Sequence, residues 1–287
     1  MKRIIYSFYI DIPKDELDLF DKHILKEGQA PINYRTKNAF RENYQKLISC
    51  KEWYAREIGV PFKLFEYDTD FMLYKDKLQK DYPYLTTYNV VNFYKIHLLY
   101  KLAQEYDEIL YLDFDVVPMI NENFFEKWDL SKGIAIKDNN SQIIMMDDVT
   151  NRSQTIRSPT AKYYNGQALL VDSGHNPKHK VVNTGIIGAS KKHLDQLAYF
   201  DNFTADLKRM SDVKEHHDMY PEKIRQFFGW DNETLWGVKQ VENNVPVQWL
   251  DDIWHYHFHS QGFIPKEIVM CHVINKDFET TWRRYHA

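Results

Sequence analysis

The sequence lacks the features that define several large classes of protein. Only two of its 287 residues are cysteines, Cys50 and Cys271. Two lone thiols in so long a chain exclude a disulfide-stapled scaffold and point to reduced, buried cysteines and a cytoplasmic setting. No run approaches the ~20 apolar residues that cross a bilayer, so no membrane span is expected. Residues 1–11 begin basic and then apolar, but Asp11 interrupts them and no small-residue cleavage site follows. They read as a first strand rather than a signal peptide. Neither sign of charge dominates, with 37 basic against 41 acidic residues and a net charge of −4. That balance lacks the basic footprint of a nucleic-acid binder. Glycine and proline, 10 of each, nowhere cluster into a linker, and there is no internal repeat or low-complexity run.

What is present fits a globular chain with a substantial core: 44% hydrophobic and 27% charged residues. Aromatics reach 15%, with 20 tyrosines. Buried tyrosines need hydrogen-bond partners, and exposed ones line sugar or base grooves.

Strand and helix signals alternate through the first half. An apolar strand over 3–10 is followed by a polar stretch with Gly28 and Pro31, then a helix over 37–58 stopping at Gly59 before Pro61. Residues 62–67 read as a strand closed by Asp68, and 86–106 as a helix. On that helix Val91, Tyr94, Leu98 and Leu102 share a core-facing side, and Asn89, Asn92 and Lys95 a more polar one. Residues 109–112 form a short apolar strand. This alternation predicts right-handed βαβ units and a mixed, mostly parallel central sheet flanked by helices, an α/β fold in a single domain. Ligands of such sheets collect beyond the carboxyl ends of the strands, where Asp68 and Asp113 are expected. Residues 138–180 are polar and weakly periodic and read as a long excursion. A strand over 181–189, a helix over 191–200, a mainly helical 201–244 and two strands within 245–274 complete the expectation.

Asp113 and Asp115 flank Phe114 directly after Ile109-Leu110-Tyr111-Leu112. On extended backbone, carboxylates at i and i+2 point the same way. Left unpaired beside a buried strand they would repel at high cost. A hard dication, Mn²⁺ or Mg²⁺, resolves the repulsion and can bridge to a diphosphate. Farther along, Trp254-His255-Tyr256-His257-Phe258-His259 alternates with period two, which on a strand puts three histidines on one face. Imidazoles so placed can bind metal or accept substrate hydroxyls. His272, in Met270-Cys271-His272-Val273, is a second source of an imidazole ligand.

The stretch Asn92-Phe93-Tyr94-Lys95, the leucine-rich helix after it, and Tyr106 through Asp115 resemble the donor-binding core of GT-A glycosyltransferases with an Asp-X-Asp motif, in the glycogenin-like and capsule- or viral-type branches. Val182-Asn183-Thr184-Gly185-Ile186-Ile187-Gly188 resembles the strand that lies beside the donor sugar in those branches. The resemblance implies a Rossmann-like GT-A domain over 1–287, with a nucleotide-binding half at 1–120 and an acceptor-binding half at 121–287. It implies transfer of a sugar from a UDP- or GDP-sugar to a hydroxyl acceptor on a glycan or other molecule. Asp113 and Asp115 would hold the cation with a late histidine. His272 followed by Lys276, the lysine for the diphosphate, matches the family's order better than His259 followed by Lys266, and the family's His-X-X-Gly-X-X-Lys spacing is imperfect at both.

The same resemblance assigns Tyr6 and Phe8 to the base and ribose, Asp68 to a base or ribose group, and Asn92, Lys95, Phe114, Asn183 and Gly185 to the donor. For Lys95 the competing reading is an ordinary solvated lysine. In Gly229-Trp230-Asp231-Asn232-Glu233-Thr234, the carboxylate of Asp231 or Glu233 would face the acceptor hydroxyl, to deprotonate it in an inverting reaction or orient it in a retaining one, while Asp231 alternatively caps a helix. Trp230 and Trp236 offer stacking faces for a sugar or pack in the core. Two other functions use similar parts. A sugar nucleotidyltransferase also needs acidic metal ligands, but it carries a Gly-rich basic loop after its first strand, where this chain has Ile10-Asp11-Ile12-Pro13-Lys14-Asp15. A non-catalytic carbohydrate-binding module would have no use for an intact acidic motif.

Overall fold

The first strand is buried from Ile4 to Phe8, as a continuous apolar run must be when both faces of a parallel strand are covered. β1 (Arg3–Tyr9) runs parallel to β2 (Phe62–Glu66) on one side and β3 (Glu108–Leu112) on the other, with Tyr6 opposite both Lys63 and Tyr111. Between them lie α1 (Ile32–Glu57), α2 (Thr69–Asp81) and α3 (Thr87–Leu102). The computed structural model describes residues 1–13, 16, 32–151, 156, 158–216, 218–259 and 262–285. The polar stretch with Gly28 and Pro31, and Lys14 and Asp15, lie outside these residues.

The chain continues through β4 (Val116–Pro118), α4 (Phe124–Lys127), β5 (Ile134–Asp138), α5 (Met146–Asn151), α6 (Ser158–Asp172) and β6 (Val182–Ser190). It ends with α7 (Lys191–Leu197), α8 (Phe203–His216), α9 (Glu222–Arg225), α10 (Asn232–Glu242), β7 (Val247–Trp249), β8 (Tyr256–Phe258), β9 (Met270–Val273) and α11 (Phe278–Tyr285). A six-stranded sheet has the order β2-β1-β3-β6-β5-β7, and a small sheet the order β4-β9-β8. This is the mixed α/β class expected from the alternation. The backbone divides into two compact units. The first comprises Met1–Asp129, Gly185–Gly188 and Leu250–Ala287, and the second Leu130–Thr184 and Ala189–Trp249.

Several expectations need correction. Residues 138–180 are not one irregular excursion, since α5 and α6 occupy much of them and α6 buries Ala161, Tyr164, Ala168, Leu169 and Leu170. The tail holds three strands rather than two. The polar side expected for α3 does not exist around Lys95. Phe93, Tyr94, Lys95 and Ile96 are buried in succession, as in a helix packed on all sides. Thr86 and Asn89 instead form a reciprocal capping box that fixes where this helix begins. Among the described residues, no helix is long and apolar enough to cross a membrane. Both cysteines are buried and free, Cys271 within the small sheet and Cys50 on α1.

In the first unit, the small sheet builds the site. β4 is antiparallel to β9 and pairs Val116 with His272, while β8 is parallel to β9 and pairs His257 with His272. Because Val116 directly follows Asp115, this register carries His272, 157 positions later in the sequence, to the acidic motif. Val273 N–H donates to Asp115 O at 3.0 Å and locks the alignment. Behind it, Phe114, Val117, Phe258, Cys271, Val273, Phe278 and Trp282 share one apolar cluster.

Candidate metal centre

Asp113-Phe114-Asp115 is a turn and not an extended segment, because Val116 N–H donates to Asp113 O at 2.9 Å. The carboxylates therefore converge through a chain reversal rather than through strand alternation. Phe114 anchors the turn. Its ring is buried and stacks on Tyr9 with centroids 4.7 Å apart. Asp113 N–H donates to Gly185 O at 2.7 Å, so the backbone of Gly185 holds the start of the turn.

Below the turn lies Lys51, on α1 and fully buried, a residue the sequence reading did not select. Its ammonium donates to Phe114 O at 2.9 Å and Leu47 O at 3.2 Å. Burial holds its pKa below the usual lysine value, with Cys50, Asp115 and Asp113 offsetting part of that effect. A cation bonded to the carbonyl between the two acids sets the height of the motif. Nothing local in the sequence marks it, since it lies 63 residues away on an ordinary helical pattern.

The two carboxylates have the same division of labour. One oxygen of each is held by protein donors: Asp113 Oδ1 by the Tyr111 hydroxyl and by the Lys95 ammonium at 3.4 Å, and Asp115 Oδ2 by Lys276 at 2.6 Å. The other oxygens face a shared imidazole. His272 Nε2 lies 3.4 Å from Asp115 Oδ1 and 4.0 Å from Asp113 Oδ2. Ligand atoms of Asp113, Asp115 and His272 all fall within 4.8 Å of one another. Neighbouring ligands of an octahedral ion with ~2.1 Å bonds sit about 3 Å apart, so small side-chain movements would close these three on one cation. Two carboxylates and an imidazole also suit the Mn²⁺ class of ion by donor chemistry. Asp115 is prepared for that role. Burial alone would raise its carboxyl, but Lys276 and His272 override this and hold it well below the usual carboxylate range.

The centre opens on a cleft of the first unit lined by Phe8, Tyr111, Phe114, Asn92, His272 and Lys276, together with Thr36, Lys37 and Tyr88. Asp11 also borders it, between Lys37 at 2.6 Å and Arg41 at 2.6 Å. Tyr111 was legible in sequence only as a strand residue. Its spacing of two from Asp113 was the available signal, because side chains two apart on a strand share a face.

The remaining expected residues fall elsewhere. Tyr6 is fully buried and donates its hydroxyl to Lys95 O at 2.8 Å, so it backs the cleft without lining it. Asp68 follows β2 as expected, but its carboxylate accepts from Phe71 N–H at 2.9 Å and caps α2. It does not line the cleft, because the unpaired amides of the helix start claim it. Lys95 is 4% exposed, which removes the solvated-lysine reading, and its ammonium lies on Asp113 and not among the groups lining the cleft. His259 is exposed beyond the end of the three-residue β8 and joins neither group of potential metal ligands. His255 and His257 do approach His272, and the three could hold an ion as a set.

Asn183, Asp231 and Glu233 belong to the second unit. Asn183 is half-buried on β6. Asp231 caps α10, accepting from Glu233 N–H and Thr234 N–H at 3.0 Å each and from the Thr234 hydroxyl. Glu233 is buried and accepts from Thr184 N–H at 2.8 Å, from the Thr184 hydroxyl at 3.1 Å and from Lys162. Trp236 is fully buried and packs in the core. Trp230 is half-buried with its indole N–H donated to Leu207 O and Ser211 Oγ.

No protein-family model matches the chain, and no curated protein matches it. Solved structures of glycosyltransferases are similar to it at low identity. A glycosyltransferase involved in the glycosylation of the major capsid of PBCV-1 is 13% identical over 100% of both chains, with a TM-score of 0.42. The galactosyltransferase LgtC, solved with donor and acceptor sugar analogues, is 10% identical over 95% of this chain and 87% of that one, with a TM-score of 0.43. Mouse xyloside xylosyltransferase 1 is 14% identical over 75% of this chain and 76% of that one, with a TM-score of 0.39. Likenesses of this size leave the chemistry to be read from the side chains.

Proposed function

We propose that this chain is a metal-dependent glycosyltransferase that moves a sugar from a nucleoside-diphosphate sugar, UDP- or GDP-linked, to a hydroxyl acceptor. One observation carries the reading. Asp113 Oδ2 and Asp115 Oδ1 lie 4.0 and 3.4 Å from His272 Nε2, while Lys95, Tyr111 and Lys276 hold the other carboxylate oxygens, beside an aromatic-lined cleft. A Mn²⁺ or Mg²⁺ ion held there would neutralise charge growing on the departing diphosphate.

The protein's own groups do the rest. Lys276 lines the cleft beside the acids and can meet a phosphate oxygen when Asp115 turns to a cation. Phe8 and Asn92 offer an apolar face and an amide to the donor's base and ribose or sugar. Lys95 acts through Asp113, holding the carboxylate so that its other oxygen stays on the ion. Asn183 and Gly185 form the strand beside the donor sugar. In the second unit Asp231, with its side chain 29% exposed against 10% for Glu233, is the more open of the two acids proposed to serve the acceptor hydroxyl. Glu233 fixes Thr184 and Lys162 around it.

Calorimetric titration of Mn²⁺, then of UDP- and GDP-sugars, tests this reading. Nucleotide-sugar binding should require the metal, His272→Ala should sharply weaken Mn²⁺ binding, and His259→Ala should leave it unchanged. Preference for a nucleoside triphosphate would favour a sugar nucleotidyltransferase, and metal-independent sugar binding a carbohydrate-binding module. Either result would displace the proposal.

Lys95→Met separates the two roles open to that lysine. If it acts through Asp113, Mn²⁺ affinity should fall about 10-fold, in the range seen when groups supporting a metal ligand are removed. Donor affinity at saturating Mn²⁺ should change little. Weaker donor binding with unchanged Mn²⁺ affinity would instead place Lys95 directly on the donor.

A further inference from the structure

His272 has two ring nitrogens, and the metal centre uses one. The other, Nδ1, lies 3.0 Å from Nε2 of His255. The two rings are nearly parallel, with centroids 5.2 Å apart and planes at 25°. His255 is fully buried and His272 5% exposed, so water is a poor substitute for this contact. His257 packs edge-on against both rings, at 4.8 Å from His255 and 5.6 Å from His272. Register builds the arrangement. β8 and β9 run parallel with His257 opposite His272, and His255 precedes the strand at a position bonded back to Asp251, its N–H donating to Asp251 O at 3.0 Å.

A hydrogen bond between two imidazole nitrogens needs one proton between them. A ligand nitrogen must offer a lone pair, so His272 can bind a cation through Nε2 only when its remaining proton sits on Nδ1. That proton then needs an acceptor, and Nε2 of His255 is the atom in reach. We infer that His255 is a positioning residue that selects the Nδ1–H tautomer of His272 and so presents the Nε2 lone pair to the centre formed with Asp113 and Asp115. The inference rests on the metal-centre reading above and adds an assignment for the buried half of the histidine pair. It also gives the Trp254–His259 alternation a use. Its second histidine packs edge-on against the pair, and its third joins neither group of potential metal ligands.

The test compares His255→Phe, which fills the space without an acceptor, with His255→Gln, whose amide oxygen can reach the position of Nε2. Mn²⁺ affinity by calorimetry and ¹⁴N coupling in the Mn²⁺ spin-echo spectrum are read in the absence of donor. Wild type should bind one ion with imidazole coupling. His255→Phe should bind about 10- to 100-fold more weakly with the coupling lost, and His255→Gln should recover most of both. His257→Gln, which leaves the 255–272 bond intact, should stay within a few-fold of wild type. If His255→Phe binds Mn²⁺ like wild type, the inference fails. It fails also if Gln and Phe are equally weak, since shape and not an acceptor would then matter. A second ion per chain, lost in His257→Gln, would make the three histidines a site of their own and overturn it as well. Absence of Mn²⁺ binding by wild type would defeat the metal-centre reading itself. Binding by wild type that Asp115→Asn abolishes and His255→Phe spares would defeat only the role of His255.

Discussion

Asp115→Asn should lower Mn²⁺-dependent turnover by at least about 10²- to 10³-fold, the usual cost of removing one electrostatic stabiliser of a transition state. Asn keeps the shape but removes the charge, and Asp115 is the carboxylate most deeply placed in the centre. It is 6% exposed, with Lys276 on one oxygen and His272 facing the other. The variant leaves the Lys276 ammonium beside a neutral amide, so a cation in the centre loses the carboxylate charge that offset that lysine. Folding should survive, because the turn is held by the Val116 and Val273 N–H groups and by the Lys51 ammonium, all donating to its backbone carbonyls and none involving this side chain. Steady-state kinetics with Mn²⁺ varied at saturating donor, alongside circular dichroism, would read both parts. Full manganese-dependent turnover by a folded Asp115→Asn protein would refute the role given to the motif.

Gly133→Ala should have the largest effect on stability, about 3 kcal/mol or more, through overpacking against backbone that cannot move aside. Gly133 has φ +157°, and a Cβ there would lie 2.6 Å from Pro246 O and 2.8 Å from Pro246 C. That carbonyl, just before β7, accepts the Ile134 N–H at the start of β5 at 2.9 Å, and the Gln248 side-chain amide donates to Gly133 O at 3.1 Å. The methyl group would wedge these strands apart at their first rung. Gly174→Ala is the control. It has φ +72° with nothing within 4 Å of the added carbon, so it should cost only the conformational penalty of about 1–2 kcal/mol. Urea unfolding of both variants gives the difference, and equal midpoints would show that the backbone yields at Gly133.

The parts of this molecule that were legible in the sequence are those governed by neighbours along the chain. Apolar runs bounded by polar breaks marked β1, β2, β3 and β6 to within a residue or so. Asp113 and Asp115 stood out because two carboxylates beside a buried strand require a counter-charge wherever the strand goes. Local reasoning failed where a neighbour in space had a stronger claim. Asp68 was read as a ligand-facing acid, but the open amides of α2 take it. Lys95 was placed on a polar face by helical spacing, but that face is packed and its charge is spent on Asp113.

By itself, then, the sequence determined the α/β class and the strand that carries the acidic motif, and it marked the two acids as a candidate cation site. Which histidine lies beside that motif, which lysine sits beneath it, and which second imidazole bonds that histidine were decided by tertiary structure. The pairing of β4 with β9, and of β9 with β8, brings residues more than 150 positions apart within hydrogen-bond reach. Hydrophobic periodicity says which face of a strand is buried, but it carries no record of the strand's partner or register. Those follow from how the whole apolar surface closes on itself.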